Sequence, residues 1–162
     1  MPVNKIPEGR NRVSPYLIVD GADRALDFYK RAFGATELFR HKTPDGRVGH
    51  AELRIVDTVV MLADAFPDHD AHGPKKFGGS PVSLHMYVED VDAVAAKAVA
   101  AGAKVKRPVA DQFYGDRLGT FEDPFGHTWH ISTHIEDVPP DELDRRAKQA
   151  MEQMKKKGPT GS

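Results

Sequence analysis

Apolar positions along the chain follow two periods, and both periods occur twice in the same order. Residues 22–33 place apolar side chains three or four positions apart, and residues 91–101 repeat that spacing, which predicts two amphipathic helices. A glycine follows each of these segments and is expected to stop the helix. One short strand-like segment precedes each helix, and three follow it; in the first half these three are residues 36–41, 48–55 and 58–63. Each half therefore predicts the element order βαβββ.

The two halves also match residue by residue, which indicates a duplication. The segment that begins at Ser14 aligns with the segment that begins at Ser83 at an offset of 69 residues, and residues 59–63 and 128–132 return to the same offset. One helix can cover only one face of its sheet, so the second face must meet something else. We therefore predict an α+β fold of two tandem βαβββ modules, whose curved mixed sheets surround a cavity, with an added C-terminal helix.

The same patterns set the expected boundaries. The predicted segments are an N-terminal arm (1–12), module 1 (13–64), a linker rich in Pro and Gly (65–81), module 2 (82–134), a C-terminal helix (135–157) and a disordered tail (158–162). Within the modules, Asp20 or Asp23 is expected to cap the first helix, and Asp90 or Asp92 the second. The C-terminal helix begins with acidic residues and ends with lysines, which suits the helix dipole.

Composition excludes several function classes. The 162 residues include no cysteine, so disulfides, thiolate metal sites and cysteine nucleophiles are absent. A formal net charge of -1 gives no electrostatic reason to expect a nucleic-acid partner or an anionic membrane surface. No apolar run approaches the length of a membrane span, and no signal-peptide pattern is present, so we expect a soluble, cytoplasmic protein. The composition leaves eight histidines to be explained.

Two sequence motifs carry a resemblance to a known family. The run VDGADRALDFY at 19–29 and the motif DPFGH at 123–127, within paired βαβββ modules, resemble the vicinal oxygen chelate superfamily. This superfamily includes glyoxalase I, bleomycin-resistance proteins and extradiol dioxygenases. The loop QFYGDR at 112–117 is most similar to a glyoxalase-like branch named after a phosphonate-operon protein. The resemblance implies a ligand cavity between modules and a homodimer, but it does not fix the chemistry.

The resemblance also implies where a metal would be bound. The four inherited ligand positions fall on Ser14, Met61, Ser83 and His130, and of these only His130 is a credible metal ligand. We therefore expect no metal site and no cofactor. The alternative is a rebuilt divalent-metal site, which would need a carboxylate such as Glu52 or Glu122.

Strand alternation selects two of the eight histidines as cavity residues. His85 lies on the same strand face as Ser83, and His130 shares its face with residues 128 and 132. If the serine faces the cavity, both imidazoles do so too. They could act as general acid or base, bind a metal, or only hydrogen-bond within a polar pocket. The same cavity is expected to include Ser14, Tyr16 and Met61. His50 alternates with polar neighbours and is interpreted as a cross-strand or rim residue.

The loop before the seventh strand is a candidate rim of the cavity. Phe113 and Tyr114 offer flat rings, and Arg117 is a bidentate anion binder, so together they could hold an aromatic or carboxylate-bearing ligand. The alternative is structural: the rings anchor the loop, and Arg117 pairs with Asp116 or Asp123.

Two functions follow from these residues. The first is a protein that binds a small organic ligand without metal, of the resistance or sequestration type. The second is a lyase or isomerase of the glyoxalase type, in which His130 and His85 bind a metal or move a proton.

Overall fold

The computed structural model describes residues 2–158, which form two four-stranded sheets and three α-helices. The elements are β1 (Tyr16–Val19), α1 (Ala22–Phe33), β2 (Thr36–Lys42), β3 (Val48–Ile55), β4 (Thr58–Asp64), β5 (Ser83–Tyr87), α2 (Val91–Ala101), β6 (Lys104–Asp111), β7 (Asp116–Glu122), β8 (Thr128–His134) and α3 (Pro140–Lys157). The predicted α+β fold of two tandem βαβββ modules with a C-terminal helix is confirmed.

Both sheets have the same strand order, which reflects the duplication. The orders are β1-β4-β3-β2 and β5-β8-β7-β6, so the first strand of each module lies at a sheet edge and runs parallel to the last strand. Tyr16 lies opposite Met61 in module 1, and His85 lies opposite His130 in module 2. These two pairs are separated by the 69-residue offset of the repeat, so the four residues occupy equivalent positions.

The strand register shows that the two candidate carboxylates, Glu52 and Glu122, do not occupy equivalent positions. Glu52 lies directly opposite Met61, whereas the residue opposite His130 on β7 is Thr120, not Glu122. The difference arises because the β3–β4 turn is shorter than the turn between β7 and β8. The structural counterpart of Glu52 is therefore a neutral hydroxyl.

The residues that cap the two module helices agree only in part with the prediction. Gly34 and Gly102 end α1 and α2 in the left-handed conformation, and Asp90 caps α2 by accepting a hydrogen bond from the Ala93 amide at 3.0 Å. The predicted cap of α1 by Asp20 or Asp23 is wrong. Instead Asp64, at the end of β4, accepts the amides of Gly21 at 3.0 Å and Ala22 at 2.7 Å.

The core joins the modules through their helix-bearing faces. In α1, Tyr29 and Phe33 lie against Trp129 of module 2, with ring centroids 5.5 and 4.8 Å apart. Phe28 of the same helix packs edge-on against Phe125 at 6.2 Å. Helix α1 therefore covers part of both modules, and the sheet faces opposite the helices remain outside this core.

The segments outside the modules are mostly surface structure. The linker contains two short 3-10 turns, Pro67–His69 and Pro74–Phe77. Helix α3 begins at Pro140 rather than at residue 135, since a proline fits the first helical turn but not the middle of a helix. Of the tail expected to be disordered, 159–162 lie outside the described residues. No helix within residues 2–158 is long and apolar enough to cross a membrane.

Candidate functional site

Each sheet has one face without a helix, and polar and aromatic side chains occupy both of these faces. We call the face of module 1 open face 1 and define it by Tyr16, Phe39, His50, Glu52 and Met61. Open face 2, in module 2, is defined by Ser83, His85, Tyr87, Thr120, His130 and Ser132. The structure thus places Tyr16 with Met61 on open face 1, and Ser83 with His85 and His130 on open face 2.

His130 is held by two hydroxyl groups on open face 2. Its Nδ1 lies 2.9 Å from Thr120 Oγ1, and its Nε2 lies 3.1 Å from Ser83 Oγ. Burial, together with the nearby His85 and Arg107, lowers the pKa of His130. The imidazole is therefore neutral at neutral pH, with one ring nitrogen that accepts a hydrogen bond and one that donates.

His85 lies beside His130 on the same face. The two ring centroids are 6.0 Å apart, and His85 Nε2 lies 2.7 Å from Ser132 Oγ. The His85 ring also stacks on Tyr87, with centroids 4.9 Å apart. The pairing of His85 and His130 predicted from strand alternation is therefore present in the structure.

A hydrogen-bond network around the buried carboxylate of Asp116 extends from Tyr87 to the end of β8. Asp116 is buried and accepts hydrogen bonds from Tyr87 Oη at 2.7 Å and His134 Nδ1 at 2.8 Å. Burial works to raise the pKa of Asp116, but these two hydrogen bonds outweigh it and lower the pKa. Hydrogen bonds to Asp137 and Asp116 raise the pKa of His134. No local sequence pattern indicates this network, because its members come from three separate strands and a loop.

A second network lies on open face 1. Tyr16 Oη lies 2.8 Å from His50 Nδ1, and His50 Nε2 lies 3.1 Å from Glu52 Oε1. Arg10, from the N-terminal arm, pairs with the other oxygen of Glu52. Burial tends to raise the pKa of Glu52, yet the hydrogen bonds from His50 and Arg10 lower it, so the group is a carboxylate. Burial and the charge of Glu52 raise the pKa of Tyr16.

The sequence predicts His50 as a cross-strand or rim residue but carries no signal for this network. The alternation of His50 and Glu52 was visible, but Tyr16 lies 34 positions earlier in the chain than His50. Only the pairing of β1 with β4, and of β4 with β3, brings the tyrosine to the histidine. The arm residue Arg10 has no pattern that would indicate its partner.

A groove of about 670 Å³ lies between the two modules where β1 and β5 begin. Its polar lining includes Ser14, Ser83, His85 and Tyr87. Its apolar lining includes Val13, Val60, Val82, Leu84, Met86 and Trp129. A volume of this size is typical of small-molecule sites. The structure therefore brings Ser14 to the same groove as Ser83 and His85.

The predicted rim residues divide into two groups. Phe113 and Tyr114 lie in the turn between β6 and β7, partly exposed and packed edge-to-face at 5.3 Å. Arg117 pairs with Asp92 at 2.8 Å and Asp111 at 2.9 Å, and not with Asp116 or Asp123, the partners named in the structural alternative. Both partners occupy the guanidinium, so these ion pairs do not support a role for Arg117 in anion binding.

The four inherited ligand positions do not fit a divalent metal. Ser14, Met61 and Ser83 supply no strong ligand, and both ring nitrogens of His130 are engaged by hydroxyl groups. Across residues 2–158, no three His, Cys, Asp or Glu side chains come together in an arrangement that could hold a metal ion.

Known proteins with this architecture were found by sequence and by structure. Protein Mb0911c of Mycobacterium bovis, which is uncharacterised, is 45% identical over 134 residues, or 81% of this chain and 88% of that protein. The crystal structure of TioX from Micromonospora sp. ML1 has a TM-score of 0.60 and 25% identity, and the match covers 80% of this chain and all of TioX. A PhnB protein from Bacillus cereus, described as a putative 3-demethylubiquinone-9 3-methyltransferase, has a TM-score of 0.61 at 19% identity, and the match covers 76% of this chain and 99% of that one.

The family model agrees with these similarities and with the duplicated fold. The model of the Glyoxalase/Bleomycin resistance protein/Dioxygenase superfamily matches residues 10–131, which span both modules. The resemblance expected from the sequence is therefore confirmed, and the chain belongs to this superfamily.

Proposed function

We propose that the protein binds a small organic ligand at the open faces and the adjoining groove, and that binding requires no metal. The observation that carries this proposal is the row of Ser83, His85 and His130, a set of hydrogen-bonding groups beside a largely apolar groove. Such a combination orients a ligand while its apolar surface is buried. Among residues 2–158 no group of side chains is arranged to hold a metal ion, which supports metal-free binding.

The proposed site is completed by a second copy of the chain. Strands β1 and β5 each lie at a sheet edge, so one side of each strand lacks a neighbouring strand in its own sheet. Val13 and Val82 precede these strands at equivalent positions of the repeat and are 87% and 68% exposed. An open edge beside exposed apolar residues is a surface suited to association. A cytoplasmic location and the lack of a nucleic-acid partner stay predictions.

A second candidate function is a histidine-dependent lyase or isomerase. Its support is the lowered pKa of His130, which keeps the imidazole neutral and able to accept a proton. His85 would then assist from 6.0 Å, the distance between the two ring centroids. This candidate requires a reacting ligand at the same face, so it depends on the binding proposal.

The test combines metal analysis with a ligand screen on the purified protein. We expect no stoichiometric metal, and we expect fragment hits in NMR titrations to shift the resonances of His85 and His130. His130→Ala should weaken such hits about five- to tenfold, the equivalent of one lost hydrogen bond. His69→Ala, in the exposed linker, is the matched control and should leave affinity unchanged.

Two results would contradict the proposal. Stoichiometric metal that disappears in His130→Ala would establish a metal site instead. Fragment hits that leave open face 2 unperturbed would place the ligand elsewhere. Turnover of a bound fragment that is lost in His130→Ala would favour the lyase or isomerase.

A further inference from the structure

Open face 1 contains a hydrogen-bond chain that leads from a buried glutamate to a half-exposed tyrosine. Glu52 is 7% exposed, whereas Tyr16 is 49% exposed, and His50 links the two. An ionised carboxylate can only accept, so His50 must donate through Nε2–H. In the neutral imidazole, Nδ1 is then an acceptor, and Tyr16 donates its hydroxyl proton to it. The direction of every hydrogen bond in the chain is thereby fixed.

This direction leaves the oxygen of Tyr16 available to a ligand. Within residues 2–158, the hydroxyl of Tyr16 has His50 as its hydrogen-bond partner, and its proton is used in that bond. The lone pairs of the oxygen can therefore accept a hydrogen bond from an acidic hydroxyl group. A proton received there can be passed on, because the proton already on Tyr16 has an acceptor in place.

We propose that Tyr16, His50 and Glu52 form a proton relay that takes the proton of a phenolic ligand bound at open face 1. The inference rests on the proposed ligand binding. In the step, the O–H bond of the ligand breaks and its proton moves to Tyr16 Oη. The original proton of Tyr16 moves to His50 Nδ1, so the products are a bound phenolate and a His50 imidazolium beside the Glu52 carboxylate. Tyr16 contacts the ligand, and the other two residues act through it.

The surroundings of Tyr16 favour an aromatic ligand. The rings of Tyr16 and Phe39 lie 5.5 and 6.1 Å from the ring of His50, so three rings surround the relay. Phe39 is 49% exposed and offers its ring to a second planar group. Offset or edge-on contacts with these rings would hold a phenol while its hydroxyl meets Tyr16.

Arg10 opposes the relay. Its guanidinium shares the Glu52 carboxylate with His50, and a neighbouring positive charge disfavours the imidazolium that the step creates. Arg10 belongs to the arm, which lacks helix and strand up to β1. Arg10→Gln should therefore favour the proton transfer, whereas Glu52→Gln should disfavour it. A structural role alone would not predict opposite signs for these two variants.

The first measurement is the tautomer of His50 in the ligand-free protein, read from ¹⁵N chemical shifts of the imidazole. We expect the Nε2–H form, because Glu52 is the acceptor. Glu52→Gln can donate as well as accept, so it should reduce the population of that form. An Nδ1–H tautomer in the wild-type protein would overturn the relay.

The second measurement uses 4-nitrophenol, whose ionisation is visible by absorbance and whose position can be mapped by NMR shifts of Tyr16 and Phe39. Tyr16→Phe keeps the ring but not the hydroxyl. It should lower the ionisation constant of the bound probe by about tenfold, the effect of one hydrogen bond to a charged group. His50→Gln should act in the same direction, and His69→Gln is its matched control.

The outcomes separate the relay from the binding proposal. Binding at open face 1 with equal ionisation in the wild type and Tyr16→Phe would overturn the relay and leave ligand binding intact. If the NMR resonances of Tyr16 and Phe39 do not shift even at the highest soluble concentration of 4-nitrophenol, the proposal of a phenolic ligand is overturned. The fragment hits at His130 test the binding proposal independently.

Discussion

At the scale of single residues, Asp123 shows what the DPFGH motif does in this fold. One carboxylate oxygen accepts the amides of Phe125 and His127, both at 2.9 Å, which closes the turn between β7 and β8. The other accepts Tyr29 Oη at 2.5 Å and Trp129 Nε1 at 3.0 Å. The motif that indicates the family is therefore a structural device that joins α1 to module 2.

Removal of this carboxylate is expected to destabilise the protein strongly. Asp123→Ala leaves buried donors without an acceptor, and we expect a loss of roughly 3 to 5 kcal/mol in the free energy of unfolding. Chemical denaturation followed by circular dichroism measures this loss. Asp57→Ala, in the exposed β3–β4 turn, is the matched control and should change stability by less than about 0.5 kcal/mol. A loss at Asp123 no larger than the control's would contradict the role assigned to its four hydrogen bonds.

At the scale of elements, the two module helices differ in how they begin. The cap of α2 is local, because Asp90 accepts a hydrogen bond from the amide of Ala93, three residues later. The cap of α1 comes from Asp64, which also accepts the Val48 amide at 2.7 Å and so joins the helix to two strands. Gly21 stands at the start of α1 with a positive φ of 98°, and a Cβ there would meet the side chain of Arg24.

The distant cap should matter more than the local one. Asp64→Ala removes the acceptor of three amides, and we expect a loss of about 2 to 3 kcal/mol. Asp90→Ala, the matched variant in module 2, should cost only about 1 kcal/mol. Thermal and urea unfolding of both variants measures the difference. Equal losses would mean that the long-range hydrogen bonds of Asp64 contribute little.

This contrast also explains how much could be predicted from the sequence. Helix spacing, glycine stops and strand alternation are local signals, so the elements, the duplication and the shared face of His85 and His130 were predicted correctly. Asp64 and His50 act through partners that only the strand pairing brings near. The ion pair of Arg117 with Asp92 could not be predicted for the same reason, since Asp92 lies 25 residues away.

At the scale of the whole molecule, the exposed edges of the two sheets are the feature that supports the proposed association with a second copy. Val13 and Val82 are apolar, exposed and equivalent in the repeat, and both line the groove. Their exposure leaves apolar surface in water at a cost of about 25 cal/mol for each Å². Association through these edges would bury that surface and enclose the proposed ligand site.

A charge at this edge is expected to dissociate the proposed dimer. Val13→Asp and Val82→Asp should each raise the dissociation constant by about tenfold or more, because an unpaired carboxylate is costly to bury. Sedimentation equilibrium measures the change. Val3→Asp, in the exposed arm, is the matched control. A wild-type protein that stays monomeric at high micromolar concentration would contradict the dimer.

The hydrogen bonds between the modules also constrain the order of events during synthesis on the ribosome. Tyr29 finds its acceptor 94 residues later in the chain, and His127 donates to the carbonyl of Ile18 at 2.9 Å across 109 residues. The first module therefore leaves the ribosome before the acceptor of the Tyr29 hydroxyl has been synthesised. At that stage the aromatic side chains of α1 are also not yet covered by module 2. These groups gain their partners only after most of the chain has been made, so we expect the nascent first half to be the stage most prone to aggregation.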